Sequence, residues 1–167
     1  MLIAFFIPGF WSSGIKNVCK YSIDEKPVVR INDHLQGIWK LAEDSDVHNY
    51  FIIEKDGDFA YSITYMNKSG NNRAIEHEPC SWSEIGNVKF ISMPSWDDDY
   101  PGYVLMKIDE IGVTSWDITA SMVTNPSIQK VTSREDLRML LLQNVNNPAF
   151  YGKKLHLRKK FEFNSSH

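Results

Sequence analysis

Gly37-Ile38-Trp39-Lys40-Leu41-Ala42-Glu43, Tyr50-Phe51-Ile52-Ile53-Glu54-Lys55 and Phe59-Ala60-Tyr61-Ser62-Ile63-Thr64-Tyr65-Met66 follow one another along the chain, with Asp56-Gly57 between the second and third runs. Each run is β-prone and alternates with period two, and Asp-Gly supplies the positive φ of a tight hairpin turn. The three together read as an antiparallel meander. The rhythm continues, so that candidate strands fall at 37–43, 48–55, 58–66, 72–77, 86–93, 102–110, 115–123 and 154–161. Turn-forming residues join them: Asp44-Ser45-Asp46, Asn67-Lys68-Ser69-Gly70-Asn71, Gly86-Asn87 and Asp97-Asp98-Asp99-Tyr100-Pro101-Gly102. The expected fold is all-β, an antiparallel meander of about eight strands closed into a barrel, because closure removes exposed edges.

One segment has a different period. Ser133-Arg134-Glu135-Asp136 fits a capping box, and Leu137, Leu140, Leu141 and Val145 follow at helical spacing before Asn146-Asn147-Pro148 ends the run. The spacing predicts one α-helix at about 133–145, packed outside the barrel or across an end, before the last strand. Alternation also sorts the strand faces. Phe59, Tyr61, Ile63 and Tyr65 share one side of their strand; Val104, Met106 and Ile108 share another, as do Trp116, Ile118, Ala120 and Met122. A barrel of this size either fills itself with side chains or holds one small ligand.

The chain has 167 residues and a net charge of −3, which suits one ordinary domain and gives no broad basic field for a nucleic-acid backbone. We divide it into a signal-like segment (1–14), a polar lead-in (15–34), a single barrel domain (35–162) and a tail (163–167). Residues 1–11 are apolar and uncharged, too short for a membrane-spanning helix of roughly 20 residues. Followed by Ser12-Ser13-Gly14, they read as a secretory leader that lacks its basic start, or else as an N-terminal strand. With a leader the protein is exported to the cell envelope or periplasm; without one it is cytoplasmic. Cys19 and Cys80 are the only cysteines and either form one disulfide or stay two thiols.

Gly37-Ile38-Trp39 on the first barrel strand, the strands up to 123, the helix at 133–145 and the strand at 154–161 resemble the lipocalin-like (calycin) β-barrels. The resemblance implies that Trp39 closes one end of the barrel and that Arg158 packs across its ring as a cation–π partner. The stretch 24–160 is also similar to small exported bacterial lipoproteins of unassigned function. That similarity rests on Glu25-Lys26-Pro27-Val28-Val29, Gly37-x-Trp39-Lys40-Leu41, Asn49-Tyr50-Phe51, Thr64-Tyr65-Met66-Asn67 and Asn146-Asn147-Pro148. Their lipidation cysteine has no match, since Cys19 follows Lys16-Asn17-Val18.

Candidate ligand-binding residues are Tyr50, Phe59, Tyr61, Tyr65, Arg73 and Tyr103, a tyrosine-lined interior with one cation that suits an amphipathic acid. The alternative is that these rings form core and hairpin surface. Trp39, Arg158 and Ser133 are the structural candidates. His34, His48, His77, His156 and His167 lack metal-ligand spacing and read as surface or turn residues. Asp97-Asp98-Asp99 reads as a solvated hairpin tip rather than a cation site, and Glu76 with Glu78 as one face of a strand rather than an acid–base pair. No Gly-x-Ser-x-Gly, phosphate loop or His-Glu-x-x-His is present. The expectation is a non-enzymatic envelope protein without cofactor, binding a small hydrophobic or amphipathic molecule in the barrel. It would meet a membrane only through its N-terminus. The alternative is a structural or interaction domain with a filled barrel.

Overall fold

The Asp56-Gly57 turn forms as its composition requires, with Gly57 at φ +72 joining two fully paired strands. The computed structural model describes residues 17–43, 50–66, 72–74, 80–95, 99–112 and 116–161. The elements are β1 (Gly37–Leu41), β2 (Tyr50–Asp56), β3 (Ala60–Met66), β4 (Asn72–Ala74), β5 (Cys80–Ile85), β6 (Val88–Pro94), β7 (Tyr103–Ile111), β8 (Asp117–Val123), α1 (Arg134–Asn144) and β9 (Tyr151–Phe161). The leader-like segment 1–14, the tail 163–167, Asp97-Asp98, Glu76, Glu78, His48, His77 and His167 lie outside the described residues.

Every strand pairs antiparallel with its neighbours, in the order β2-β1-β9-β8-β7-β6-β5-β3, and β2 also pairs with β3. That last pairing closes eight strands into a barrel, while β4 extends β3 along Thr64–Met66. The seam is β1 on β9, where Trp39 faces Lys159, Lys40 faces Arg158 and Leu41 faces Leu157. Two expectations need correction. The strand read at 72–77 is confined to Asn72–Ala74 among the described residues, and the strand that completes the wall is β5, which the period-two reading missed.

Burial on both faces explains the omission. Cys80 and Trp82 of β5 point into the barrel, whereas Ser81, Ser83 and Ile85 are buried on the outer side. Burial therefore does not alternate along it, and its outer positions carry small serines instead of charged side chains.

The core has two parts. Inward rows such as Val104, Met106 and Ile108 on β7 and Ile118, Ala120 and Met122 on β8 form the interior. Phe90, Leu105 and Val123 face outward and pack against Leu137 and Leu141 of α1. The helix thus lies outside the wall. Ser133 caps it, its hydroxyl accepting from the Asp136 N–H at 3.0 Å, and Arg138 binds Asp24 at 2.5 Å and the Glu84 carbonyl at 3.0 Å. At the other end the Lys107 ammonium donates to the Val145 carbonyl at 3.4 Å, a cation beside the helix C-terminus.

The lead-in belongs to both cores. Cys19 and Ile23 are buried under α1, and Ile31 and Leu35 enter the barrel cluster. Cys19 and Tyr103 exchange backbone hydrogen bonds of 2.9 and 2.8 Å. Gly102 permits the approach, because a Cβ there would collide with the Cys19 carbonyl and the Val18 side chain.

Candidate functional site: the barrel interior

The inward rows leave a cavity of about 90 Å³ whose wall is apolar throughout. Leu41, Phe51, Ile63, Trp82, Met93 and Leu155 contribute to it from six different strands. Leu41, Phe51, Ile53, Ile91, Met93 and Leu157 keep partial exposure, so the cavity is not sealed.

One end is plugged. Asp33–Leu35 form a single 3-10 turn ahead of β1, and Leu35 folds into the cavity wall. The Trp39 ring is fully buried and its indole N–H donates to the Leu35 carbonyl at 2.8 Å. The cation beside the ring is Lys159, with its ammonium 5.2 Å from the Trp39 centroid and 5.9 Å from that of Trp116. Lys159 is 2% exposed and also donates to the His34 carbonyl, so a backbone acceptor and two indole faces replace the water it gives up. This corrects the expected partner by one residue. Arg158 lies on the outer face and pairs with Asp117 at 3.1 Å. The regular run Leu41↔Leu157, Lys40↔Arg158 sets Lys159 opposite Trp39, and alternation along β9 turns Arg158 outward.

Tyr61 completes the plug. Its hydroxyl accepts from the Asn32 N–H at 2.7 Å and donates to the Asn32 carbonyl at 2.9 Å, tying the lead-in to β3. Burial pushes the Tyr61 phenol well above its ordinary range; the hydrogen bond with Asn32 opposes the rise and the nearby Asp33 charge adds to it.

Of the six candidate ligand residues, Tyr61 lines the cavity. Tyr50 is half-buried at the start of β2, Phe59 is 44% exposed beside the β2–β3 turn, and Tyr103 packs with the outer cluster under α1. The side chains of Tyr65 and Arg73 lie outside the described residues; their backbones stand directly opposite in the β3–β4 pairing. A ring of tyrosines converging on one cation is therefore not what the described interior presents.

Sequence reasoning missed Cys80 and Lys159. Cys80 is 1% exposed in the cavity wall, and burial pushes its thiol up to about 12. Cys19 lies on the opposite side of the wall, its thiol likewise raised by burial against a hydrogen bond from the Tyr21 backbone, and the two are free thiols. Among the described residues no three His, Cys, Asp or Glu side chains gather closely enough to hold a metal ion. His34 and His156 are exposed.

A second polar cluster sits outside the barrel. Lys107 pairs with Asp109 at 2.8 Å, Ser121 donates to Asp109 at 2.5 Å, and the Lys107 ammonium lies 4.3 Å from the Tyr151 ring centroid. Burial opposes the charge on Asp109, but the hydrogen bonds from Lys107 and Ser121, with the charges of Lys107 and Lys154, hold its carboxyl below the usual range. Burial, then the Asp109 charge, raises the Tyr151 phenol to about 12. With Lys107 also on the Val145 carbonyl, this cluster fastens the end of α1 to the wall.

Comparison with protein-family models, curated proteins and solved structures finds no match to this chain.

Proposed function

We propose that the barrel takes up the apolar part of a small hydrophobic or amphipathic molecule and performs no chemistry on it. The observation that carries this reading is a wholly apolar cavity plugged at the Trp39 end. At about 90 Å³ it is smaller than the roughly 150 Å³ that holds benzene and the roughly 300 Å³ of a drug-sized site. The occupant is accordingly a slim alkyl segment, with any polar head left at the rim. The likeness to lipocalin-like proteins is proposed on the closed meander, Gly37-x-Trp39 on its first strand and the late helix before the closing strand. The exported, envelope location is proposed on the apolar run of residues 1–11.

The test is calorimetric titration with a homologous series of n-alkyl carboxylates and n-alkanols. Affinity should rise by about fourfold per added methylene, from roughly 0.8 kcal/mol for each CH₂ buried, and level off once the interior is full. Ala120 is fully buried in the cavity wall, so Ala120→Leu should occupy the space and abolish binding while the fold is kept. Absence of binding along the whole series would overturn the reading. It would leave the second one, a structural or interaction domain with a filled barrel, which the small volume favours.

A further inference from the structure

We propose that the outer face of β9 docks on an anionic lipid bilayer. The strand reads Tyr-Gly-Lys-Lys-Leu-His-Leu-Arg-Lys-Lys-Phe. It has no acidic residue, yet it carries Lys153, Lys154, Arg158, Lys159 and Lys160 of the chain's 18 Lys and Arg. Lys159 points inward, while Lys154, His156, Arg158 and Lys160 alternate with it and with the interior leucines and are exposed. At about 3.4 Å per residue this row spans roughly 20 Å of convex wall. Lys40, directly across from Arg158 on β1, adds another cation. The chain as a whole has a net charge of −3, so positive charge is segregated onto this face.

The countercharges nearby are few. Asp117 takes Arg158 at 3.1 Å, Glu43 takes Lys153 at 3.1 Å, and Asp109 is held by Lys107 at 2.8 Å, with Lys154 close enough to lower its proton affinity. Among the described residues no carboxylate forms an ion pair with Lys160 or Lys154.

Lysine and arginine are drawn to anionic headgroups. A row of exposed cations on a convex wall has that chemistry. A polynucleotide fits less well, because the face is a convex strand without a groove lined by stacking rings. The proposal is independent of what the barrel interior holds.

The experiment is co-sedimentation of the full chain with vesicles of phosphatidylcholine, alone or mixed with phosphatidylglycerol. Binding should require phosphatidylglycerol and weaken as sodium chloride is added. The neutral vesicles report any contribution of the apolar residues 1–11. The double variant Lys154→Gln, Lys160→Gln should lower partitioning by roughly 25-fold, at about fivefold for each charge removed near the surface. Both side chains are exposed, so its circular dichroism should match the parent. Equal binding to neutral vesicles, an unchanged double variant, no binding, or tighter retention on single-stranded DNA than on vesicles would each overturn the proposal.

Discussion

Trp39→Ala removes the largest fully buried side chain in the barrel. Emptying the site of a buried tryptophan costs about 3–5 kcal/mol, depending on how far the surroundings collapse. Two features place this one toward the upper end. The Leu35 carbonyl loses the indole N–H that it accepts at 2.8 Å. The Lys159 ammonium, 2% exposed, loses the ring 5.2 Å away and stays in a less compensated site. Urea denaturation followed by far-ultraviolet circular dichroism should show a lower midpoint at constant slope. In heating, the melting temperature should fall by roughly 6–20 °C, at about 2–4 °C per kcal/mol for a chain of this size. Trp39→Phe keeps most of the volume but neither the N–H nor the full π face, and should cost roughly 1–2 kcal/mol. A Trp39→Ala change below about 1 kcal/mol would refute the argument that this ring plugs the barrel.

Ser133→Ala should cost about 1 kcal/mol of unfolding free energy, since it removes the acceptor for the Asp136 N–H; an unmoved denaturation midpoint would count against the cap. Asp109→Asn should lose roughly 1–2 kcal/mol at neutral pH, through the bonds to Lys107 and Ser121. Because the folded carboxyl is held below the ordinary value of 3.8, its contribution is present above that value and disappears as pH falls through the lower folded value. The gap between parent and variant should therefore narrow in acid unfolding, and a gap independent of pH would contradict the assignment. Native protein at pH 8 should react with Ellman's reagent far more slowly than unfolded protein, because Cys19 and Cys80 are both buried with raised thiol pKa values. Prompt reaction of either thiol would show that its packing is misassigned.

The meander, the closing strand and the helix were legible because each carries its own period. Strands such as β1 and β9 alternate, and α1 has a serine cap and leucines at helical spacing. β5 was hidden because α1 and the lead-in cover its outer side, where Ser81 and Ser83 take the place of charged residues. The cation at Trp39 was off by one because β9 faces inward at Leu155, Leu157 and Lys159, so Arg158 lies on the other side of the strand. A buried lysine also runs against composition; the indoles and the His34 carbonyl around Lys159 help to make it tolerable. The site was the least legible part. Tyrosines in a strand do not declare which end of a barrel they reach, and Tyr103 turned toward the helix instead of the interior.

The cavity, the plug and the cationic face all require β9 to close on β1. Nuclear Overhauser contacts between backbone protons of isotope-labelled protein test that seam directly. Cross-strand contacts of Trp39 with Lys159, Lys40 with Arg158 and Leu41 with Leu157 are expected. A β1 strand that contacts β2 alone, with β9 paired only to β8, would contradict the closed barrel.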